Sequence, residues 1–205
     1  MATRVESFMV SVTGQIISAE FPGYNYIWLK YCFVTGVDWM NIAGIQEGMT
    51  QTSLKGPSEG HGHVFNFPID VSWKSTNPFG WPQIIVHAYG VDIFGKDVVR
   101  GYGAVHIPME PGRHERRVAM FVPQSSSKLM QLSAWFTGKR PEFVNPKVIA
   151  SGDGRGMTKV QTQGFVDLVF NVATKNMRQL GYVVGKHGAD VAREDLLLAI
   201  GGDTI

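Results

Sequence analysis

The feature that most constrains the fold of this chain is its clearest alternation of apolar and polar residues, which runs from His63 to Lys74. The apolar positions are His63, Phe65, Phe67, Ile69, Val71 and Trp73, and the polar ones are Asn66, Pro68, Asp70, Ser72 and Lys74. Because successive side chains of a strand point to opposite faces, this period predicts a strand with one buried side and one wet side. We therefore expect Phe67 and Trp73 to be core residues. Since proline cannot donate to a ladder, Pro68 places this strand at a sheet edge or a bulge.

Further segments with a similar pattern bring the expected number of strands to about eight. They span 8–16, 27–34, 82–89, 98–107, 116–122, 158–162 and 165–174. The 24 glycines and 10 prolines divide the chain into the short lengths that suit strands. Because almost no helical crossover lies between the strands, we predict an all-β fold, an antiparallel β-sandwich rather than a parallel α/β sheet.

Helical spacing is confined to the second half of the chain. Apolar residues recur every three or four positions over 129–136, after the capping serines at 125–127 and before Gly138. We expect this one helix to pack on the sandwich. After Lys175 the pattern fades, apart from a possible short helix over 190–200. The sequence thus predicts a lead of residues 1–7, one domain over 8–175 and a C-terminal tail over 176–205.

Composition excludes several classes of function. The net charge of +2 is too small to hold the whole surface on nucleic acid or on an anionic membrane. The single cysteine, Cys32, allows neither an internal disulfide nor a cysteine-rich zinc site, and it suits a reducing compartment such as the cytoplasm. No apolar run reaches the ~18 residues that a membrane-spanning helix needs.

Sequence motifs for catalysis are also missing. The chain has no G-x-S-x-G elbow, no H-E-x-x-H pair and no phosphate-binding P-loop. Gly152, Gly154 and Gly156 are read as a flexible loop, and His61 and His63 as a solvated loop end. We therefore expect no enzymatic activity, no cofactor and no metal site.

The strongest charge feature is a basic run from Arg113 to Arg117, which Glu115 interrupts. Such a run is most often a solvated turn and strand start, and the alternative is a patch for anionic lipid or an acidic partner. If a partner pairs with the edge strand that contains Pro68, its polar side chains and the basic run provide the contact surface. The candidate contact residues are Asn66, Asp70, Lys74, Arg113, Arg116 and Arg117.

Several longer runs resemble the B9-domain family. They are Phe67-Pro-Ile-Asp-Val71, Lys74-Ser-Thr-Asn-Pro-Phe-Gly-Trp-Pro-Gln83, Asp97-Val-Val-Arg-Gly-Tyr-Gly-Ala-Val-His106 and Pro111-Gly-Arg-His114. Shorter matches lie at 120–123, 127–129, 135–136, 140–142, 163–165 and 176–182. Since the resemblance extends over residues 8–182 and rests on several runs, it is specific.

The resemblance implies a C2-like β-sandwich in a non-enzymatic scaffold subunit of the Meckel-syndrome, or tectonic-like, complex at the ciliary transition zone. That complex supports cilium assembly, Hedgehog signalling and a diffusion barrier for membrane proteins. The implied partners are a second B9 domain-containing protein, the Meckel syndrome type 1 protein and tectonic-like components. The implied location is the cytoplasm and cytoskeleton at the basal body and transition zone, peripheral to the membrane.

The C2 resemblance also raises the alternative of a calcium-regulated lipid-binding module. Calcium needs six to eight oxygen ligands, which C2 domains take from carboxylates on two loops. In the corresponding loop here, Gly90 stands where the first aspartate is expected, and Asn25 is the nearest candidate in the other loop. Only Asp92 and Asp97 remain, with Lys96 between them, so we expect a calcium-independent loop.

Overall fold

The computed structural model describes residues 6–57, 62–92, 94–123 and 160–184. These residues form ten strands: β1 Phe8–Glu20, β2 Tyr26–Val34, β3 Trp39–Gly44, β4 Glu47–Met49, β5 Ser53–Leu54, β6 His63–Ser75, β7 Gln83–Val91, β8 Asp97–His106, β9 Gly112–Pro123 and β10 Val160–Lys175. All strand pairs are antiparallel, so the predicted all-β antiparallel fold is confirmed.

The strands form a single curled sheet with the order β3-β6-β1-β10-β9-β8-β7-β2-β4, and β5 pairs with β2. Five strands separate β2 from β6 in this order, yet the rings of Phe33 on β2 and Trp73 on β6 have centroids only 5.1 Å apart. The sheet therefore closes on itself as a C2-like sandwich. We call β3, β6, β1, β10 and β9 the first layer, and β8, β7, β2, β4 and β5 the second.

The core lies between the layers and comes from the inward positions that the alternation predicted. Val10, Val12 and Ile16 of β1 are completely buried, as is Trp73 of β6. Phe67 is only half-buried and packs on the rim of the core, with its ring 6.0 Å from that of Tyr31.

Two features of β6 explain why a proline is accommodated at position 68. Its pairing with β1 shifts between Ile16 and Ser18, so that Phe65 and Asn66 lie opposite the single residue Ile17 in a bulge. Asn66 has a φ of 46°, in the left-handed region that asparagine tolerates better than most residues. The outer side of β6 pairs with β3 only over 71–75, so its first half is an edge in the described part of the chain. Pro68 thus lies both at an edge and beside a bulge.

Three other details differ from the sequence-based expectations. The segments expected at 158–162 and 165–174 form one strand, β10, with an irregularity between Thr162 and Gly164. The short strands β3, β4 and β5 were not predicted, because two to six residues are too few to establish a period. His63, expected at a solvated loop end, is fully buried at the start of β6.

The packed helix over 129–136 and the short helix over 190–200 lie outside the described residues. Within the described ranges the only helical segment is a single 3₁₀ turn, Arg178–Leu180, so a packed helix is not confirmed. The residues around this turn, assigned to a tail by sequence, pack on the core. Met177 is buried, and the Tyr182 ring lies 5.7 Å from that of Phe8.

Candidate partner-binding face

Four of the six candidate contact residues, Asp70, Lys74, Arg113 and Arg117, lie on the outward surface of the first layer. Asp70 on β6 pairs with Thr13 on β1, Thr13 with Asn171 on β10, and Asn171 with Arg113 on β9. Directly paired residues in antiparallel strands share a face. The side chains that pair in this series, from Asp70 through Thr13 and Asn171 to Arg113, therefore form one exposed row across four strands. At the usual strand spacing, the row is about 14 Å long. We call this surface of β6, β1, β10 and β9 the outer face.

Small polar side chains occupy the middle of the outer face, and charges lie at its borders. Ser72 donates a 2.8 Å hydrogen bond to Ser11 within a neighbouring row. A further row runs from the candidate Lys74 through Met9 to Lys175. The centre is therefore a low, polar surface that a second flat protein surface can approach closely.

Arg117 is the most constrained of the candidate cations. Its guanidinium forms an ion pair with Glu20, lies 3.6 Å from Asp167 and stacks 4.6 Å from the ring centroid of Phe165. Ser18 donates to the same carboxylate of Asp167. These contacts fix the position of the guanidinium and neutralise its charge.

The remaining candidates have different environments. Arg113 pairs with Glu115 at 3.0 Å on the outer face. Arg116 points the other way, because it pairs with Leu168, whose side chain is in the core. Asn66 is exposed, but its left-handed backbone gives it a geometric role in the bulge of β6.

The first half of β6, which does not pair with β3, has backbone groups that are already hydrogen-bonded. The side-chain amide of Gln51 donates to the Phe65 carbonyl at 3.0 Å, and the Ile45 N–H donates to the Asp70 carbonyl at 3.1 Å. Because Pro68 has no N–H and Asn66 bends the strand, this edge is poorly suited to pairing with another chain. The side chains of the outer face are the better contact surface.

The loop that resembles a calcium-binding loop uses its carboxylate internally. Asp92 accepts hydrogen bonds from the backbone N–H groups of Phe94, at 2.8 Å, and Lys96, at 2.9 Å. The N–H of Lys96 is the main cause of the lowered pKa of Asp92. Within the described residues no group of three or more histidine, cysteine or acidic side chains is placed to hold a metal ion.

Sequence reasoning missed Arg100, which lies at the same end of the sandwich. It is 7% exposed, donates to the Val91 carbonyl at 2.7 Å and stacks 4.3 Å from the centroid of Tyr24. The signal was an arginine inside the otherwise apolar run Val98-Val-Arg-Gly-Tyr102. Arg100 thus joins the loop between β1 and β2 to the end of β7.

Nearly all of the strand residues, and most of the outer face, fall within a segment that matches a known family. A model described as "Ciliary basal body-associated, B9 protein" matches residues 10–173. The chain belongs to the B9 family. This B9 protein is 56% identical to human B9 domain-containing protein 1 over 186 residues, which are 90% of this chain and 91% of that protein.

More distant members align over similar lengths. B9 domain-containing protein 1 of Drosophila melanogaster is 30% identical over 85% of this chain and 77% of its own length. Human B9 domain-containing protein 2 is also 30% identical, over 84% of this chain and 97% of its own length. Two named kinds of B9 protein thus have one domain that aligns with the sandwich described here. Among its described residues, this B9 protein has no helix long and apolar enough to cross a bilayer.

Proposed function

We propose that this B9 protein is a non-enzymatic scaffold subunit of the Meckel-syndrome, or tectonic-like, complex at the ciliary transition zone. The observation that carries the proposal is the row from Asp70 to Arg113, which gathers separately predicted contact residues on one exposed face. The family, described as ciliary basal body-associated, supports a ciliary location. In this role the protein supports cilium assembly and the diffusion barrier for membrane proteins.

The partner that the outer face suits best is another B9 sandwich. A second B9 domain-containing protein has a matching domain, and the Meckel syndrome type 1 protein and tectonic-like components complete the proposed assembly. The protein lies in the cytoplasm at the basal body and transition zone, associated with the cytoskeleton and peripheral to the membrane.

The size of the outer face sets a requirement on the contact. From Pro68 to Lys74 the face extends about 20 Å along the strands, against about 14 Å across them. A stable interface buries at least ~1,000 Å² in total, so neighbouring loops must contribute beside the paired strands. Arg113, at one end of the row, is positioned to extend the contact.

The decisive experiment places a bulky charge at the centre of the row. Thr13→Arg in the tagged full chain, expressed in ciliated cells, should abolish co-purification of the second B9 domain-containing protein and transition-zone localisation. The matched control is Lys30→Glu, which also changes charge but lies exposed on β2 in the second layer. Unchanged recovery of the sister protein with Thr13→Arg would exclude the outer face as the interface.

A further inference from the structure

The border of the outer face along β3 is apolar and exposed. Met40 on β3 pairs with Lys74, so its side chain lies on the outer face, where it is 66% exposed. Two positions further along, Ile42 is exposed in a bulge of β3. Ile45 follows at the turn after β3; its N–H donates to the Asp70 carbonyl at 3.1 Å, and the residue is 67% exposed. Apolar side chains thus lie beside the polar candidates Lys74 and Asp70.

The same kind of surface continues along the first half of β6. Val64 pairs with Ser18 and is more than half exposed. Ser18 pairs in turn with Asp167, which pairs with Arg117 on the outer face, so Val64 is on that face too. Pro68 is exposed on the same side of β6. We call these five exposed apolar residues the apolar strip: Met40, Ile42, Ile45, Val64 and Pro68.

The fold itself does not require the strip. The inward side chain at the start of β3 is Trp39, which is buried and packs on Phe8 and Trp81. Edge strands of soluble proteins are usually protected by charged residues or proline. β3, from Trp39 to Gly44, contains neither, and no strand in the described part of the chain pairs with its outer side. Exposed apolar side chains that are gathered in one place mark an interaction site.

The strip also supplies area that the outer face lacks. At ordinary strand dimensions, the rows from Pro68 to Lys74 cover about 280 Å². Extending the face to Val64 lengthens it to about 30 Å, and β3 widens part of it by one strand, which brings the surface to about 500 Å². One partner contributes about half of the ~1,000 Å² that a stable interface buries. The face reaches this size only when the strip is included.

Charge pairing makes the strip a stronger anchor than the border of the outer face along β9. There Arg113 is already paired with Glu115, and Arg117 with Glu20 and Asp167. A charged partner would have to compete with these ion pairs, and exposed ion pairs stabilise little. Protein interfaces generally have an apolar centre, enriched in methionine, and a polar rim. The strip is the part of the face with the composition of such a centre.

We propose that the apolar strip is the anchor through which this protein binds the second B9 domain-containing protein. The partner's sandwich lies flat on the outer face, buries Met40 and Ile45 against apolar side chains of its own, and covers the small polar centre. The inference rests on the proposed function for the identity of this partner.

Two other occupants fit the strip less well. A strand added to the edge of β3 would meet the bulge at Ile42, which interrupts the regular line of backbone groups. An anionic bilayer attracts surfaces with net positive charge, whereas Asp70 and Lys74 beside the strip carry opposite charges. A flat protein surface with apolar side chains meets neither obstacle.

Calorimetric titration of the purified full chain with the purified second B9 domain-containing protein tests the proposal. The double variant Met40→Asp, Ile45→Asp should weaken binding by at least about tenfold, because it places two carboxylates on the buried strip. Met49→Asp is the matched control, since it makes the same change at a methionine that is 61% exposed on β4, in the second layer. It should bind like the parent, and so should Met40→Leu, which keeps the strip apolar.

Three results would overturn the proposal: no binding by the parent chain, equal binding by the double variant and by Met49→Asp, or a loss with Met40→Leu as large as that of the double variant. A parent chain that sediments alone as a dimer, and as a monomer when it carries the double change, would assign the strip to a second copy instead. Thermal unfolding checks that each variant is folded. If the double variant does not fold, Ile45→Asp alone serves in its place.

The variant Thr13→Arg, at the centre of the row, separates this proposal from the proposed function. If Thr13→Arg abolishes binding and the double variant does not weaken it, the scaffold role stands and the strip is excluded. If neither change weakens binding, the whole outer face is excluded as the interface.

Discussion

Trp39 and Trp81 pack edge to face with ring centroids 5.1 Å apart, and each indole connects a different loop to the core. Trp39 donates to the Phe79 carbonyl at 2.9 Å, and Trp81 to the Ile107 carbonyl at 2.8 Å. Beside them Gly36 donates to the Gly80 carbonyl at 2.8 Å. Gly80 has a φ of 70°, and a Cβ there would lie 2.4 Å from the Gly36 Cα, so only glycine fits. This pair of tryptophans holds β3, the connection between β6 and β7, and the end of β8 together at one end of the sandwich.

Replacing Trp81 and Trp73 separates hydrogen bonding from packing. Both side chains are buried, but the Trp81 indole N–H has an acceptor and the Trp73 indole N–H has none among the described residues. Trp81→Phe should therefore lower the free energy of unfolding by about 1–3 kcal/mol more than Trp73→Phe. Urea denaturation of the two variants measures this difference. Equal losses would mean that the Trp81 hydrogen bond contributes nothing net.

The left-handed backbone of Asn66 predicts an asymmetric response to substitution. Glycine should be tolerated there, whereas Asn66→Val should cost about 1–2 kcal/mol, because a branched side chain is unfavourable at this φ. Thermal and urea unfolding of both variants tests the stability. If Asn66→Gly folds normally but loses the sister protein, the side chain is a contact residue as well.

Arg116 and Arg117 should respond differently to charge reversal, although sequence alone places both in one exposed run. Arg117→Glu brings a third carboxylate beside Glu20 and Asp167 and removes the stacking on Phe165, so it should cost about 1 kcal/mol. Arg116→Glu should stay within about 0.5 kcal/mol of the parent. The melting temperatures of the two variants give the comparison. A larger loss for Arg116→Glu would contradict the assigned contacts.

Two histidines make the fold sensitive to acid: His63 is fully buried and His87 is half-buried. Burial lowers the pKa of His63, and it lowers that of His87 from 6.5 to about 4, with Lys30 acting in the same direction. Because the unfolded chain binds these protons more readily, the stability they contribute is complete above pH 6.5. For His87 it is lost progressively as the pH falls from 6.5 to about 4.

The variant His87→Phe isolates the contribution of His87 to the pH dependence of stability. It keeps an aromatic ring beside Tyr102, whose ring centroid is 5.0 Å from that of His87. Its urea midpoint should fall less than that of the parent between pH 7 and pH 4. Parallel pH profiles would show that His87 does not titrate in this interval.

Calcium should not stabilise the protein. Asp92 Oδ1 accepts two backbone N–H groups of its own loop, and no group of three or more acidic, histidine or cysteine side chains among the described residues could complete the six to eight ligands that calcium needs. Calorimetric titration with calcium should give no saturable heat, and the melting temperature should be the same in calcium and in chelator. Saturable binding that Asp92→Asn abolishes would reopen the calcium-regulated alternative.

The sequence by itself determined which side chains of the long strands face the core, because the parity of a strand is local. The alternation in β6 correctly assigned Trp73 to the interior and Asp70 and Lys74 to the surface. The missing N–H of Pro68 is equally local, and it placed this residue at an edge or a bulge. The runs quoted above were also enough to identify the family.

Only the tertiary structure decided which of these surfaces adjoin. The register of β6, β1, β10 and β9 brings Asp70 and Arg113 into one row, although they are far apart in sequence. The short strands β3 to β5 and the buried Arg100 were equally hidden from sequence reasoning. Strand order depends on how the two layers pack across the whole domain, and no local period of the sequence encodes that packing.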